Sequence, residues 1–237
     1  MPVNIFRDYF SDALDGLAYL VFPETCPACM KPLNRGEKCL CTTCRFRLPR
    51  TQFYKDDRNP VFKQFWGKVN IEAACAYYHF GKGEKVQNLI HYLKYKGRQD
   101  IGEFTGELFG YEIMNTHPYS TVDLIVPVPL HPAKLKIRGY NQSDCFAEGI
   151  ANAMGVPYNK NVLLRTRATD TQTRKHRYER YENVNRVFSV PSPELIRGKH
   201  VLLVDDVITT GSTFIACAEE LLSVPGTKVS IGALACA

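Results

Sequence analysis

The sequence lacks the marks of a membrane-bound or secreted protein. No run of residues is long or apolar enough to span a bilayer, which requires about 20 consecutive apolar residues. Residues 1–22 carry acids inside their apolar pattern, and no small-residue cleavage site follows them, so no signal peptide is predicted. We therefore expect a cytoplasmic protein without a membrane span.

Two common nucleotide-binding patterns are also missing. The P-loop pattern GxxxxGK[ST] and the dinucleotide pattern GxGxxG do not occur in the chain. Internal repeats and low-complexity tracts are absent as well. Any phosphate site must therefore be built differently from an ordinary P-loop or dinucleotide-binding fold.

The composition is that of an ordinary globular protein with a mild excess of positive charge. The chain has 237 residues, of which 45% are hydrophobic and 23% charged, enough for one α/β core and a small additional module. The net charge is +6. Such an excess favours anionic ligands or nucleic acid, although many basic proteins bind neither.

The nine cysteines fall into two groups. Two CxxC pairs, Cys26 with Cys29 and Cys41 with Cys44, can complete a tetrahedron of sulfurs, which predicts structural Zn²⁺ with no open coordination position. Cys39 is a possible substitute for Cys41, and the rival interpretations are unligated thiols or a redox CxxC. The remaining four are predicted to be small core residues: Cys75, Cys145, Cys217 and Cys236.

Strands and helices alternate along most of the chain, which predicts βαβ units and a mostly parallel sheet. Predicted strands cover 71–80, 122–130, 161–166, 200–204 and 228–237, and predicted helices cover 3–22, 84–97, 100–116, 141–155 and 212–223. We divide the chain into an N-terminal helix and zinc module (1–50), a connector (51–70) and an α/β domain (71–237). Ligands of such sheets bind at the carboxyl ends of the strands.

The segment HVLLVDDVITTGSTF, residues 200–214, is the strongest candidate for a site. Adjacent Asp205 and Asp206 follow a buried strand, where their repulsion is costly unless a ligand or cation uses them. The small residues that follow can take a phosphate at a helix N-terminus: Thr209, Thr210, Gly211, Ser212 and Thr213. Acids for sugar hydroxyls followed by a phosphate loop predict a ribose 5-phosphate binder.

This segment resembles the phosphoribosyl pyrophosphate (PRPP) signature of type I phosphoribosyltransferases. VPVPLHPAKLKIRGYNQS at 126–143, TDTQTRKHRYERYENVNRVF at 169–188 and the CxxC pairs together resemble the ComF family, whose members include competence and DNA-utilisation proteins. The resemblance implies a type I phosphoribosyltransferase fold, a mostly parallel sheet flanked by helices, with a small N-terminal zinc-binding module. It covers the chain from about Cys26 onward.

The resemblance also implies the roles of individual residues. Asp205 and Asp206 would be catalytic, Val207 would join the phosphate loop in binding substrate, and Mg²⁺ would accompany PRPP. The loop 128–138 would bind pyrophosphate through Pro129, Leu130, Lys134, Lys136 and Arg138, although a solvated basic turn is the alternative. The activity implied is that of a glycosyltransferase, and no acceptor can be read from the sequence.

The basic segment 165–186 resembles the mobile lid of such enzymes, with Gln172, Arg177 and Arg180 as its candidate residues. A solvated linker is the alternative. The competing function is a non-catalytic accessory protein that binds single-stranded DNA in transformation, with other competence proteins as possible partners. Its candidate DNA contacts are Arg174, Lys175, Arg177 and Arg180, which lie beside Tyr178 and Tyr181.

Overall fold

The computed structural model describes residues 23–81, 84–165 and 187–237. The predicted N-terminal helix and the lid beyond Arg165 lie outside these ranges. The described α-helices are α1 (Thr42–Arg47), α2 (Pro60–Lys63), α3 (Lys85–Tyr95), α4 (Asp100–Ile113), α5 (Pro132–Arg138), α6 (Gln142–Met154) and α7 (Ser212–Leu222). The described strands are β1 (Ala73–His79), β2 (Leu124–Pro127), β3 (Leu164–Arg165), β4 (Phe188–Ser189), β5 (His200–Ile208) and β6 (Lys228–Cys236).

The central sheet has four parallel strands in the order β1-β6-β5-β2. β3 and β4 form a separate antiparallel pair at the two ends of the segment 166–186. This confirms the predicted α/β class. It also corrects one boundary, because β5 continues four residues beyond the predicted end at Val204 and stays paired with β6 as far as Ile208.

Both faces of the sheet are buried, as the continuous apolar runs of parallel strands require. Along β5, Leu202 and Val204 face a core that also contains residues of α3, α4 and α6. Val201 and Leu203 face the opposite core, with residues of α2 and α7. The four isolated cysteines are confirmed as buried, with exposed fractions of 0% for Cys75 and Cys217, 5% for Cys145 and 7% for Cys236.

The cysteine-rich region packs against the same core as α3 and α4. Leu33, Leu40 and Leu48 are at most 3% exposed there. Asn88 of α3 donates a hydrogen bond from Nδ2 to the carbonyl oxygen of Ala28, inside the first CxxC turn, at 3.2 Å. The module is therefore attached to α3 through both apolar and polar contacts. Among the helices of the described ranges, none has the length and apolar character needed to cross a membrane.

His200 begins β5 in a buried hydrogen-bond network. Its Nδ1 lies 2.8 Å from Thr121 Oγ1 and its Nε2 lies 2.9 Å from Ser230 Oγ, while its side chain and backbone together are only 4% exposed. Burial lowers the pKa of His200 below its usual value, against the opposing influence of Glu72 and Asp123. The neutral ring is the form that this network stabilises.

We expect the stability contribution of His200 to fall as the pH falls below about 6.5, because the unfolded chain then binds a proton that the folded ring resists. The loss is at most about 1.4 kcal/mol per pH unit. The measurement is urea unfolding of wild type and His200→Gln between pH 7.5 and 5. We expect the difference between their free energies of unfolding to shrink as the pH falls. An Asp205→Asn background removes the opposing titration of Asp205, and a pH-independent difference would contradict the prediction.

Candidate functional site

Asp205 and Asp206 lie within β5 rather than after it, so their side chains leave opposite faces of the strand. Asp205 accepts a hydrogen bond from Ser143 Oγ to its Oδ1 at 2.6 Å. Asp206 is paired with Lys94 Nζ, which lies 2.9 Å from its Oδ1 and 2.8 Å from its Oδ2. The two carboxylates are therefore held by partners from different helices, α6 and α3.

The protonation of Asp205 is poised near neutrality. Burial raises its pKa to about 7, and the adjacent Asp206 carboxylate adds to this effect. Ser143 Oγ and the backbone N–H of Asp206 oppose it by donating to the carboxylate. A cation or hydroxyl donor placed beside Asp205 would favour the ionised form.

The segment 209–213 turns the chain from β5 into α7. Gly211 has a φ of +73°, a conformation that favours glycine, and an added Cβ would crowd the Phe65 ring at 3.2 Å. Thr210 Oγ1 lies 3.1 Å from Ser212 Oγ on the exposed side of this turn. Gly211 has no side chain that could cap α7, and the Ser212 N–H donates to Thr210 Oγ1 at 3.5 Å, so the next amides of the first turn are left for another acceptor.

The segment after β2 is not the continuous loop that the sequence predicts. Residues 132–138 form the short helix α5, which Pro132 begins and Gly139 ends with a φ of +81°. Arg138 donates from Nη1 to Gln142 Oε1 at 2.6 Å, and its guanidinium lies 5.2 Å from the centre of the Tyr95 ring. The basic side chains of this segment are thus presented from a helix whose end is fixed.

A cavity of about 170 Å³ brings seven of the predicted site residues together. Those predicted are Asp205, Asp206, Thr213, Pro129, Leu130, Lys134 and Arg138. Lys136 and the turn residues Val207, Thr209, Thr210, Gly211 and Ser212 are not part of its lining. A second, open groove of about 590 Å³ adjoins it and shares Pro129, Leu130, Asn141 and Arg165.

Six residues of the cavity were not among the predicted site residues: Lys94, Val128, Asn141, Gln142, Ser143 and Arg165. Ser143 follows the helix cap Asn141 at the same sheet edge as Asp205, so the βα connection was a usable signal. Lys94 gives no such signal, because a single lysine at the end of a helix is typical of a solvated surface. The remaining predicted residues lie outside the described ranges: Gln172, Arg174, Lys175, Arg177 and Arg180.

The four predicted metal ligands form one cluster. The sulfurs of Cys26, Cys29, Cys41 and Cys44 all lie within 4.8 Å of one another, and those of Cys29 and Cys41 are 3.7 Å apart. Tetrahedral zinc with bonds of about 2.3 Å requires sulfurs about 3.8 Å apart, so the cluster fits a zinc-binding module. Cys39 is not part of the cluster, and the alternative in which it replaces Cys41 is not supported.

Comparison with known proteins places these features among relatives. A model of the phosphoribosyl transferase domain matches residues 145–236. DNA utilization protein YhgH of Escherichia coli K12 is 29% identical over 219 residues, covering 86% of this chain and 92% of that protein. Competence protein F of Haemophilus influenzae is 26% identical over 230 residues, covering 90% and 97%.

Solved structures with a similar chain path are more distant. A glutamine PRPP amidotransferase from B. subtilis aligns with a TM-score of 0.43 and 21% identity, covering 62% of this chain and 30% of that one. An adenine phosphoribosyltransferase aligns with a TM-score of 0.38 and 18% identity, covering 64% and 75%.

Proposed function

We propose that this chain, a phosphoribosyltransferase-domain protein of the class that includes DNA utilization protein YhgH and competence protein F, binds PRPP or a related ribose 5-phosphate ligand. The fold is that of a type I phosphoribosyltransferase, with the four-cysteine module attached near its N-terminus. The ligand site is the 170 Å³ cavity at the carboxyl edge of the sheet.

The observation that carries the proposal is the separation of charge within this one cavity. Asp205 and Asp206 provide hydrogen-bond acceptors for the ribose hydroxyls, and Lys134 and Arg138 provide cations for a pyrophosphate. Thr213 of the cavity lining, together with the adjoining turn at Gly211 and Ser212, offers amides and hydroxyls to the 5-phosphate. One ligand that carries a diol, a phosphate and a pyrophosphate matches all three groups.

The same arrangement suits glycosyl transfer. As pyrophosphate leaves ribose C1, positive charge develops on the sugar ring, and the Asp205 and Asp206 carboxylates would stabilise it. Lys134 and Arg138 would stabilise the departing anion. Mg²⁺ bound with the pyrophosphate would supply further neutralisation, and carboxylate oxygens are ligands that it accepts. No protein nucleophile is required. The adjoining 590 Å³ groove has room for an acceptor.

Calorimetric titration with Mg²⁺-PRPP tests the proposal. We expect wild type to bind, and the double substitution Asp205→Asn with Asp206→Asn to weaken binding at least 100-fold, because the hydroxyl acceptors lose their charge. Asp57→Asn is the matched control, because Asp57 is exposed and lines neither cavity. Its affinity should equal that of wild type.

The similarity to a DNA utilization protein and a competence protein favours DNA binding as the second candidate function, and we propose single-stranded DNA as its ligand. An absence of heat with Mg²⁺-PRPP would overturn the proposal. Binding of an unstructured oligodeoxynucleotide in its place, with an affinity that falls steeply with salt, would then support a non-catalytic phosphate-binding role in DNA utilisation. The proposal also places Zn²⁺ in the four-cysteine cluster and the protein in the cytoplasm, where such thiols stay reduced.

A further inference from the structure

The last turn of α3 lies across both halves of the candidate site. The last three residues of α3, Leu93, Lys94 and Tyr95, each contact a different part of the candidate site. Tyr140 donates from its hydroxyl to the carbonyl oxygen of Leu93, and Lys94 pairs with both oxygens of Asp206 at 2.9 and 2.8 Å. The Tyr95 ring lies under the Arg138 guanidinium, with 5.2 Å to the ring centre. Lys94 is thus fixed between the acid pair and the basic segment.

The Lys94–Asp206 pair occupies the carboxylate that the proposed ligand needs. Both side chains are mostly buried, with exposed fractions of 21% and 12%. Breaking a buried pair without replacing its partners is costly, because a charge is left desolvated. A ribose hydroxyl can satisfy Asp206, but it leaves the Lys94 ammonium group without an anion.

A pyrophosphate supplies that missing partner. Lys94 lines the same cavity as Lys134 and Arg138, so an anion bound by those two cations is within the space that Lys94 also borders. A lysine side chain suits such an exchange, since it carries a compact charge on a flexible stem, whereas an arginine would form a rigid two-bond pair with the carboxylate. α3 lies outside the matched residues 145–236.

We propose that Lys94 selects the ligand: it holds Asp206 until a ligand brings both ribose hydroxyls for Asp206 and a pyrophosphate for the lysine ammonium group. This rests on the proposed function and adds a selecting residue to it. The consequence is a preference for PRPP over ribose 5-phosphate that depends on Lys94. Ribose 5-phosphate must break the Lys94–Asp206 ion pair and leaves the Lys94 ammonium group without an anion. PRPP breaks the same pair, but its pyrophosphate becomes the new partner of the ammonium group.

The test is the ratio of two dissociation constants, for ribose 5-phosphate and for Mg²⁺-PRPP, in wild type and in Lys94→Met. We expect the substitution to weaken Mg²⁺-PRPP binding about tenfold or more and to leave ribose 5-phosphate binding unchanged or tighter. The ratio therefore falls at least tenfold. Lys96→Met, at an exposed position two residues further on, should leave the ratio at the wild-type value.

A second variant removes the charge but keeps a polar side chain. Lys94→Gln should also lower the ratio, because an uncharged amide gains much less from a pyrophosphate than an ammonium group does, and it serves as the test if Lys94→Met does not fold. If either folded variant weakens both ligands equally, or changes neither, the selection proposal is overturned while the ribose-phosphate site stands. If wild type binds neither ligand, the proposed function itself fails, and the selection proposal fails with it.

Discussion

Replacement of Cys44 by serine is expected to lower the melting temperature by more than 10 °C and to release the bound metal. The Cys44 residue is fully buried, and its sulfur belongs to the four-sulfur cluster. Zinc–thiolate bonds contribute most of the stability of a module this small, since structural zinc binds with an apparent free energy of about 10–16 kcal/mol. Because each kcal/mol of lost stability lowers the melting temperature of a chain of this size by about 2–4 °C, the loss of even half of that free energy lowers it by at least about 10 °C.

The measurements are metal content by mass spectrometry and thermal unfolding with and without a chelator. Wild type should carry one Zn²⁺ per chain, and a chelator should lower its melting temperature toward that of Cys44→Ser. Cys39→Ser is the matched control, because Cys39 is a buried thiol of the same region that lies outside the cluster. Loss of zinc from Cys39→Ser, or a melting temperature indifferent to chelation, would show that the ligand set is wrong.

Gly149→Ala is expected to lower the free energy of unfolding by about 3 kcal/mol or more, at the upper end of overpacking costs. A Cβ at this position of α6 would lie 2.0 Å from the carbonyl oxygen of Glu103 and 2.9 Å from the amide nitrogen of Glu107. Both are backbone atoms of α4, which cannot rotate away as a side chain can. The two helices would have to separate, and every apolar contact between them would loosen.

Urea unfolding measures this loss, with Asn152→Ala as the control on the exposed face of the same helix. The control should stay within about 0.5 kcal/mol of wild type. Because α6 carries Ser143, the partner of Asp205, we also expect Gly149→Ala to weaken ligand binding. A loss below 1 kcal/mol would mean that α4 and α6 separate at little cost.

Local signals predicted much of the fold. A helix over 141–155 was predicted from a capping asparagine and a closing glycine, and α6 covers 142–154. In the structure Asn141 accepts from the Ser143 N–H, and Gly155 has a φ of +67°. The short helix 132–138 was not predicted, although Pro132 and Gly139 mark its ends. Its apolar residues Leu135 and Ile137 are 42% and 84% exposed, so it has no buried stripe for periodicity to reveal.

The candidate site was predicted best where it is local in sequence. The cysteine pairs and the acid-to-threonine turn are short motifs whose chemistry follows from spacing alone. The partners of the two acids do not belong to such short motifs, because Lys94 lies 112 residues from Asp206 and Ser143 lies 62 residues from Asp205. Such pairs arise from helix packing on the sheet, which composition and periodicity do not encode.

Helix α3 joins two sites that are chemically unrelated. Asn88 holds the first CxxC turn, and Lys94, six residues or about 9 Å further along the same helix, holds Asp206. With Zn²⁺ in the cluster, as proposed, loss of the metal would loosen the CxxC turn that Asn88 holds near one end of α3, while Lys94 lies near the other end. Removal of zinc is therefore expected to change the ligand preference of the sheet-edge site as well as the stability of the cysteine module.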